Sequence, residues 1–356
     1  QDYYAIAGNR VTRYFSPAIQ INEWELISRD PFVVKFNNEH CLITNNKVDI
    51  IPNNIEYALL SSRKPDKRTL ELNKLRFKGW LKHPLFDNLS TDEIIASWTN
   101  SFTFKEEDNL NGVSGLRPPQ LGALHSILAH THNPQDKGIV VMPTGTGKTE
   151  TMLSALIACK SKKLLVTVPS DSLRTQLANK FISLGLLKQL GIITETALYP
   201  RVGIAYSGFQ TLQNLRDFIE KSNVVITTMN ILADCPDDQK AIIASEFTHL
   251  FVDEAHHSEA RTWQEVIERF DKKKVFLFTA TPYRNDGKTL SGKVIFRFSL
   301  KNAQEQKYYK EINYLPIREY DRNEADKKIA ETAILQLRAD ITAGYDHILM
   351  ARCVSK

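Results

Sequence analysis

The stretch Gly138-Ile139-Val140-Val141-Met142-Pro143-Thr144-Gly145-Thr146-Gly147-Lys148-Thr149 decides the fold of this chain. It opens as a short apolar run with little alternation, as expected of a strand covered on both faces. A turn with two glycines follows, and apolar residues then recur at helical spacing over 149–160. Glycines between a strand and a helix let the backbone wrap around phosphate groups. The N–H groups point inward and the helix N-terminus adds positive potential. Gly145 and Gly147 are those glycines, with Thr144 and Thr146 completing the loop. Lys148 would reach the β- and γ-phosphates of a nucleotide, and the Thr149 hydroxyl would ligate Mg²⁺. The strict pattern asks for Gly where this chain has Met142, so a plain strand–helix turn with a surface lysine is the alternative.

The same texture recurs downstream. Runs 163–168, 223–228, 249–253 and 274–279 are compact Val/Ile/Leu/Phe segments, with helical spacing over 171–184. Such alternation predicts an α/β fold with a parallel, doubly wound sheet. One of these runs ends as Leu250-Phe251-Val252-Asp253-Glu254-Ala255-His256-His257. At the C-terminal edge of a parallel sheet, Asp253 would face the Mg²⁺ shell, and Glu254 would polarise the water that attacks the γ-phosphate. The plainer alternative is an Asp-Glu pair that caps the next helix. Asp253 follows Lys148 by 105 residues, on a separate strand, which favours an ATPase.

Asp253 to His256 spells a DEAH box, and Thr279-Ala280-Thr281-Pro282 begins 26 residues after Asp253. With the phosphate loop, these resemble motifs I, II and III of superfamily 2 helicases and translocases. Leu116-Arg117-Pro118-Pro119-Gln120 resembles the Q motif of that family, and Val168-Pro169-Ser170-Asp171-Ser172-Leu173-Arg174 its motif Ia. Thr227-Thr228-Met229-Asn230 resembles the next strand-end motif. The resemblance covers residues 113–290 and implies a RecA-like P-loop domain that binds ATP and Mg²⁺. It makes Lys148, Asp253 and Glu254 catalytic, puts Thr149 and Asp253 on the metal, and adds Arg117 and Gln120 to the nucleotide site. The Gln120 amide would read adenine N6/N7 by a bidentate contact, although Pro119 stands near where some relatives carry a stacking aromatic. His256, Thr279 and Thr281 would couple the cleft to the nucleic acid. Ser170, Arg174, Thr228 and Asn230 would touch its backbone, the alternative being that such residues at helix starts are structural caps. Thr279-Ala280-Thr281 followed by Pro282-Tyr283-Arg284-Asn285-Asp286 looks like DNA-acting members: type I and III restriction motors, XPB-like translocases and Hachiman-type phage-defence helicases. DNA is therefore preferred over RNA, with a nuclease or another subunit of a restriction or defence complex as the implied partner.

Composition sets the frame around these motifs. With 356 residues, 42% apolar, 24% charged and a net charge of +5, the chain reads as an ordinary globular protein of about two domains. No apolar run approaches the ~20 residues of a membrane helix, and no secretory signal opens the chain. Cys41, Cys159, Cys235 and Cys353 form no close pair, which fits a reducing cytoplasm. Residues 1–112 are expected to be a mixed α+β accessory domain, with strands over 32–36 and 41–44 and a helix from Thr91 capped by Ser90 or Thr91 itself. A linker follows over 105–115. Residues 113–300 would be the first RecA-like domain. Residues 301–356 would be a connector and the start of a second, cut short, with Ile329, Ala333, Leu335 and Leu337 buried on a helix and a strand over 346–352. Motif VI, which brings the arginine finger, is not found. The chain alone is therefore expected to bind ATP–Mg²⁺ but to hydrolyse it weakly.

Residues 63–82 hold eight Lys/Arg and two acids, with Phe77 and Trp80 interleaved. This pattern suits a phosphate backbone with stacked bases, or a solvated helix face with a buried aromatic edge. Two functional classes stay open: a nucleic-acid-dependent ATPase that translocates or unwinds, and an ATP-switched module that binds nucleic acid or an effector without processive movement.

Overall fold

The computed structural model describes residues 2–14, 23–46, 51–84, 89–132, 134, 136–257, 261–270, 274–281, 290–309 and 314–350. The chain opens with an antiparallel pair, β1 (Asp2–Ile6) and β2 (Asn9–Thr12). A five-stranded sheet follows from β3 (Glu25–Arg29), β4 (Phe32–Phe36), β5 (Glu39–Thr44), β6 (Tyr57–Ser61) and β7 (Phe77–Lys82), in that spatial order. Alternate residues of its strands feed two small cores. Phe32, Val34, Phe36, Cys41 and Ile43 lie on one side, and Val33, Leu42 and Ala58 on the other. Between β6 and β7 runs α1 (Lys67–Glu71), capped by Asp66 and Thr69. The helix expected after residue 90 is α2 (Thr91–Ser97), and its cap is Ser90, paired with Glu93 in a capping box.

From α3 (Pro118–Thr131) onward, strand and helix alternate: β8 (Gly138–Val141), α4 (Lys148–Ala158), β9 (Leu164–Val168), α5 (Asp171–Ser183), β10 (Val202–Ile204), α6 (Leu212–Glu220) and β11 (Val224–Thr228). Then come α7 (Met229–Ala233), α8 (Asp237–Glu246), β12 (His249–Val252), α9 (Arg261–Glu268), β13 (Lys274–Thr279), β14 (Lys293–Arg297) and α10 (Leu300–Glu305). The large sheet runs β1-β2-β10-β11-β9-β12-β13-β8-β14, parallel from β10 to β14 and antiparallel at β1 and β2. Its strands read as unbroken apolar runs because both faces are covered. Val140, Val166, Phe251, Phe276 and Phe278 face one core, while Val141, Leu165, Leu250, Val252 and Leu277 face the other. This is the parallel α/β sheet expected, with a smaller sheet beside it.

Two expectations about organisation change. The division at residue 112 does not separate packing units, because residues 1–308 form one. β1 and β2 extend the large sheet, and Ile94 and Trp98 are fully buried in its core, with the Trp98 indole donating to Leu198 O at 2.9 Å. Nor is 105–115 a free linker. Leu116 N donates to Lys105 O, Glu107 N to Leu116 O, and Asp108 and Val113 pair with each other, so the backbone polar groups are met internally.

Residues 309–356 form the second unit, which contains α11 (Arg322–Thr342). The unit begins after Tyr308 rather than after residue 300. Ala333 and Leu337 are half-buried, but Ile329 and Leu335 are 53% and 65% exposed, so the expected buried stripe is only half formed. The strand expected over 346–352 is absent from the described residues 346–350, where no neighbouring strand offers ladder hydrogen bonds, and 351–352 lie outside the described residues. Among the described residues, no helix is long and apolar enough to cross a membrane.

Candidate active site

The loop from β8 to α4 is built from the sheet outward. Met142 N donates to Thr279 O at 2.9 Å, tying the strand end to β13. The Met142 side chain is buried in the core, so a large residue at the loop's first position leaves the phosphate side open. Thr146 is fully buried and its hydroxyl donates to Pro143 O at 2.7 Å, so this side chain shapes the loop instead of lining it. Gly145 and Gly147 have φ of +80° and +96°. At Gly147 even strain would not be the end of it, since a Cβ would land on the Gln120 amide. Thr144, Gly145, Gly147, Lys148 and Thr149 line a cleft of about 490 Å³, together with Arg117, Gln120, Asp253 and Glu254.

Opposite the loop, Asp253 leaves β12 with its N–H held by Thr167 O at 2.8 Å. Glu254 then takes a left-handed φ of +49°, which costs about 1–2 kcal/mol in a non-glycine residue. Its N–H donates to Asp253 Oδ1 at 3.0 Å. That turn carries Glu254 Oε1 to 3.1 Å from Lys148 Nζ and Oε2 to 3.5 Å from His256 Nδ1. Lys148 is only 8% exposed and, apart from this ion pair, its ammonium has no hydrogen-bond acceptor among the described residues. Burial, and then the neighbouring Glu254 carboxylate, push Asp253 up to about 6, against the pull of Lys148 and the Glu254 N–H. A buried carboxylate raised this way is one that a cation would stabilise. No cluster of three or more His, Cys, Asp or Glu able to hold a metal occurs among the described residues. Mg²⁺ is commonly held by one or two protein oxygens plus phosphate and water. Thr149 and Asp253 fit such a donor set.

On the other flank, Gln120 is 5% exposed and engaged at both ends of its amide. Oε1 accepts from Arg117 N at 2.8 Å and Nε2 donates to Gly147 O at 3.4 Å. Reading adenine would require it to exchange at least one of these bonds. Arg117 donates from Nη1 to Gly145 O at 3.1 Å, and its guanidinium lies 5.1 Å from the Tyr308 ring centre. The Tyr308 hydroxyl donates to Glu107 Oε1 at 3.3 Å, and burial followed by Glu107 raises the phenol's pKa. Glu107 and Tyr308 were not foreseen. Neither lies in a motif, and only the folded chain brings them to Arg117.

The residues expected to couple the cleft to the nucleic acid form one hydrogen-bonded chain. His256 Nδ1 lies 3.1 Å from Thr279 Oγ1, which donates to Thr281 O at 2.7 Å. Residues 282–286, which carry the rest of that motif, lie outside the described residues. The four backbone-contact candidates sit at the ends of β9 and β11 but divide by exposure. Ser170 and Asn230 are exposed, while Arg174 and Thr228 are buried at 5% and 6%. Ser170 and Thr228 cap α5 and α7. Asn230 Oδ1 accepts from the Trp263 indole at 3.0 Å. Arg174 turns inward, with Nη1 at 2.8 Å from Asp171 and its guanidinium 4.5 Å from the Tyr206 ring centre.

Residues 114–284, just under half of the chain, match the family model described as Type III restriction enzyme, res subunit. No curated protein matches the chain. A nuclease-deletion mutant of the Type ISP restriction-modification enzyme LlaGI, in complex with a DNA substrate mimic, is 23% identical. It covers 63% of this chain and 22% of its own length, at a TM-score of 0.40. The UvsW helicase of bacteriophage T4 is 14% identical, covering 61% of this chain and 68% of its own, at a TM-score of 0.34. The Hef helicase domain of Pyrococcus furiosus is 16% identical, with 45% and 33% covered, at a TM-score of 0.31.

Proposed function

From a segment, residues 114–284, that is restriction-motor-like and superfamily 2 helicase-like, we propose that this chain is the ATP-binding half of a nucleic-acid-dependent ATPase, a helicase or translocase acting on DNA in preference to RNA. The observation that carries the reading is Glu254, held in a strained turn 3.1 Å from Lys148 and connected through His256 to Thr279. A helix cap needs none of that geometry.

In this reading Lys148 releases Glu254 and takes the β- and γ-phosphates. The freed Glu254 carboxylate then orients the attacking water and accepts its proton. Mg²⁺, when bound, neutralises charge on the phosphate oxygens, and Thr149 and Asp253 are the residues that hold it. Thr144, Gly145 and Gly147 cradle the phosphates through their backbone, with Arg117 and Gln120 on the base side. His256, Thr279 and Thr281 relay the state of Glu254 to the strand ends, where Ser170 and Asn230 are exposed to the polymer. A nuclease or another subunit of a restriction or antiviral defence complex would use the motor, and the cytoplasm is its expected compartment.

The test is steady-state ATP hydrolysis with and without single- and double-stranded DNA and RNA, using Glu254→Gln as control. Slow hydrolysis that DNA stimulates and that is lost in Glu254→Gln supports the motor, since this half alone is expected to turn over weakly. Tight ATP binding with no hydrolysis under any polymer would instead support the ATP-switched binding module.

A further inference from the structure

We propose that residues 63–82, on α1 and β7 of the small sheet, form a second nucleic-acid contact surface, remote in sequence from every motif of the ATPase. The segment has eight basic and two acidic residues, a net of +6 against +5 for the whole chain, so the remainder sums to −1. All the excess positive charge therefore sits here. Folding does not consume it: Arg63, Lys64, Lys67, Arg68, Lys74, Arg76 and Lys78 are all exposed. The two acids are occupied locally. Asp66 accepts from the Thr69 N–H and hydroxyl in its capping box, and Glu71 pairs with Lys67 at 3.8 Å.

The aromatics divide. Trp80 is half-buried against Tyr57 and His83 and builds the sheet, whereas Phe77 is 45% exposed. Seven exposed cations and one exposed ring within residues 63–78 suit a phosphodiester backbone, with the ring stacking on an unpaired base. Location supports the same partner. β7 runs beside β1, the outermost strand of the large sheet. A polymer crossing the strand ends past Ser170 and Asn230 in the direction β9, β11, β10, β2, β1 heads toward this surface. The choice of nucleic acid over another polyanion rests on the motor reading above.

The experiment measures binding of a labelled 20-mer dT strand and a 20-bp duplex between 50 and 200 mM salt. It compares the whole chain with a variant combining Lys64→Gln, Arg68→Gln, Lys74→Gln and Lys78→Gln. None of these side chains belongs to a core or to the cap of α1. Losing only two phosphate contacts should flatten the duplex salt slope by about 1.8 and weaken binding roughly 50-fold at 0.1 M salt. Glu71→Gln should act in the opposite direction and tighten binding. Phe77→Ala should weaken dT by about fivefold or more while sparing the duplex. ATP affinity should stay unchanged throughout. An unchanged slope and affinity in the fourfold variant would overturn this surface and leave the motor reading intact. No binding by the wild-type chain would also overturn it, and the motor reading would then be judged by polymer-stimulated hydrolysis. Tighter binding to phosphatidylserine vesicles than to either DNA would reassign the surface to a membrane.

Discussion

Glu254→Gln should do two things at once, and the second is the more discriminating. Loss of hydrolysis follows from the proposed role of Glu254 as the base. The geometry adds that ATP should bind more tightly to the variant, because in the ligand-free chain Glu254 occupies the ammonium the phosphates need. At 3.1 Å the Lys148–Glu254 attraction is about 5 kcal/mol at an effective dielectric of ~20, before desolvation. Desolvation of both groups and the 20% exposure of Glu254 offset most of this. A neutral amide keeps part of the contact, so about 1–2 kcal/mol of competition is relieved. That corresponds to a roughly 5- to 30-fold lower Kd. The assay is isothermal titration with a non-hydrolysable ATP analogue and Mg²⁺, alongside thermal unfolding. The ligand-free variant should unfold at lower temperature than wild type, since Lys148 is left buried with a weaker partner, and saturating nucleotide should close the gap. An unchanged or weaker Kd would refute the idea that Glu254 guards the phosphate site.

Asp253→Asn should raise the unfolding temperature of the nucleotide-free chain at pH 7.5, because burial and Glu254 penalise the charged form. The same variant should abolish the gain in ATP affinity given by Mg²⁺, which titration with and without EDTA would read. Gly147→Ala should eliminate ATP binding while the chain stays folded by circular dichroism. Its φ of +96° disfavours any side chain, and the added methyl displaces Gln120. His249 is buried and its pKa falls to about 3, from desolvation first and the Lys274 charge second. Unfolded His249 takes up a proton below about 6.5 and the folded form does not, so stability falls as pH drops from 6.5 toward 3. His249→Gln should flatten the acid limb of a urea-midpoint profile over that window. Trp98→Ala should cost about 3–5 kcal/mol and should destabilise the large sheet, as read by exchange of the β9 and β11 amides, because Trp98 is fully buried in that core.

The parts of this fold legible in the sequence are those whose physics is local. A strand buried on both faces must be apolar at every position, which is why β8, β9, β11, β12 and β13 can be read from short windows. A phosphate loop needs glycine where φ is positive, which marks Gly145 and Gly147. What escaped reading depends on pairing between distant segments. Nothing in residues 2–12 says that they will close the edge of a sheet whose neighbouring strand, β10, begins at Val202. No local pattern tells whether Trp98 packs on the small sheet before it or the large sheet after it. Tyr308 reaches Arg117 only through the closed tertiary fold.

Exposure, too, is set by distant segments and not by local sequence. Arg174 and Ser170 look equally able to meet a phosphate in sequence, yet the arginine is buried, with Tyr206 and Asp171 as its contacts, while the serine is exposed. The same uncertainty ran the other way in residues 63–82, where a charge run could have been spent on internal pairing. Its cations stay exposed because the acids beside them are few and already engaged. The two proposed sites are of opposite design. At the proposed nucleotide site a single buried lysine meets the Glu254 carboxylate, so binding there should respond weakly to salt and strongly to the loss of either partner. At the proposed surface on the small sheet many exposed cations would share the work, so no single substitution should abolish binding and salt should weaken it steeply. Measuring the salt dependence of ATP and DNA binding on the same preparation would separate the two. Equal salt slopes for both ligands would contradict this division.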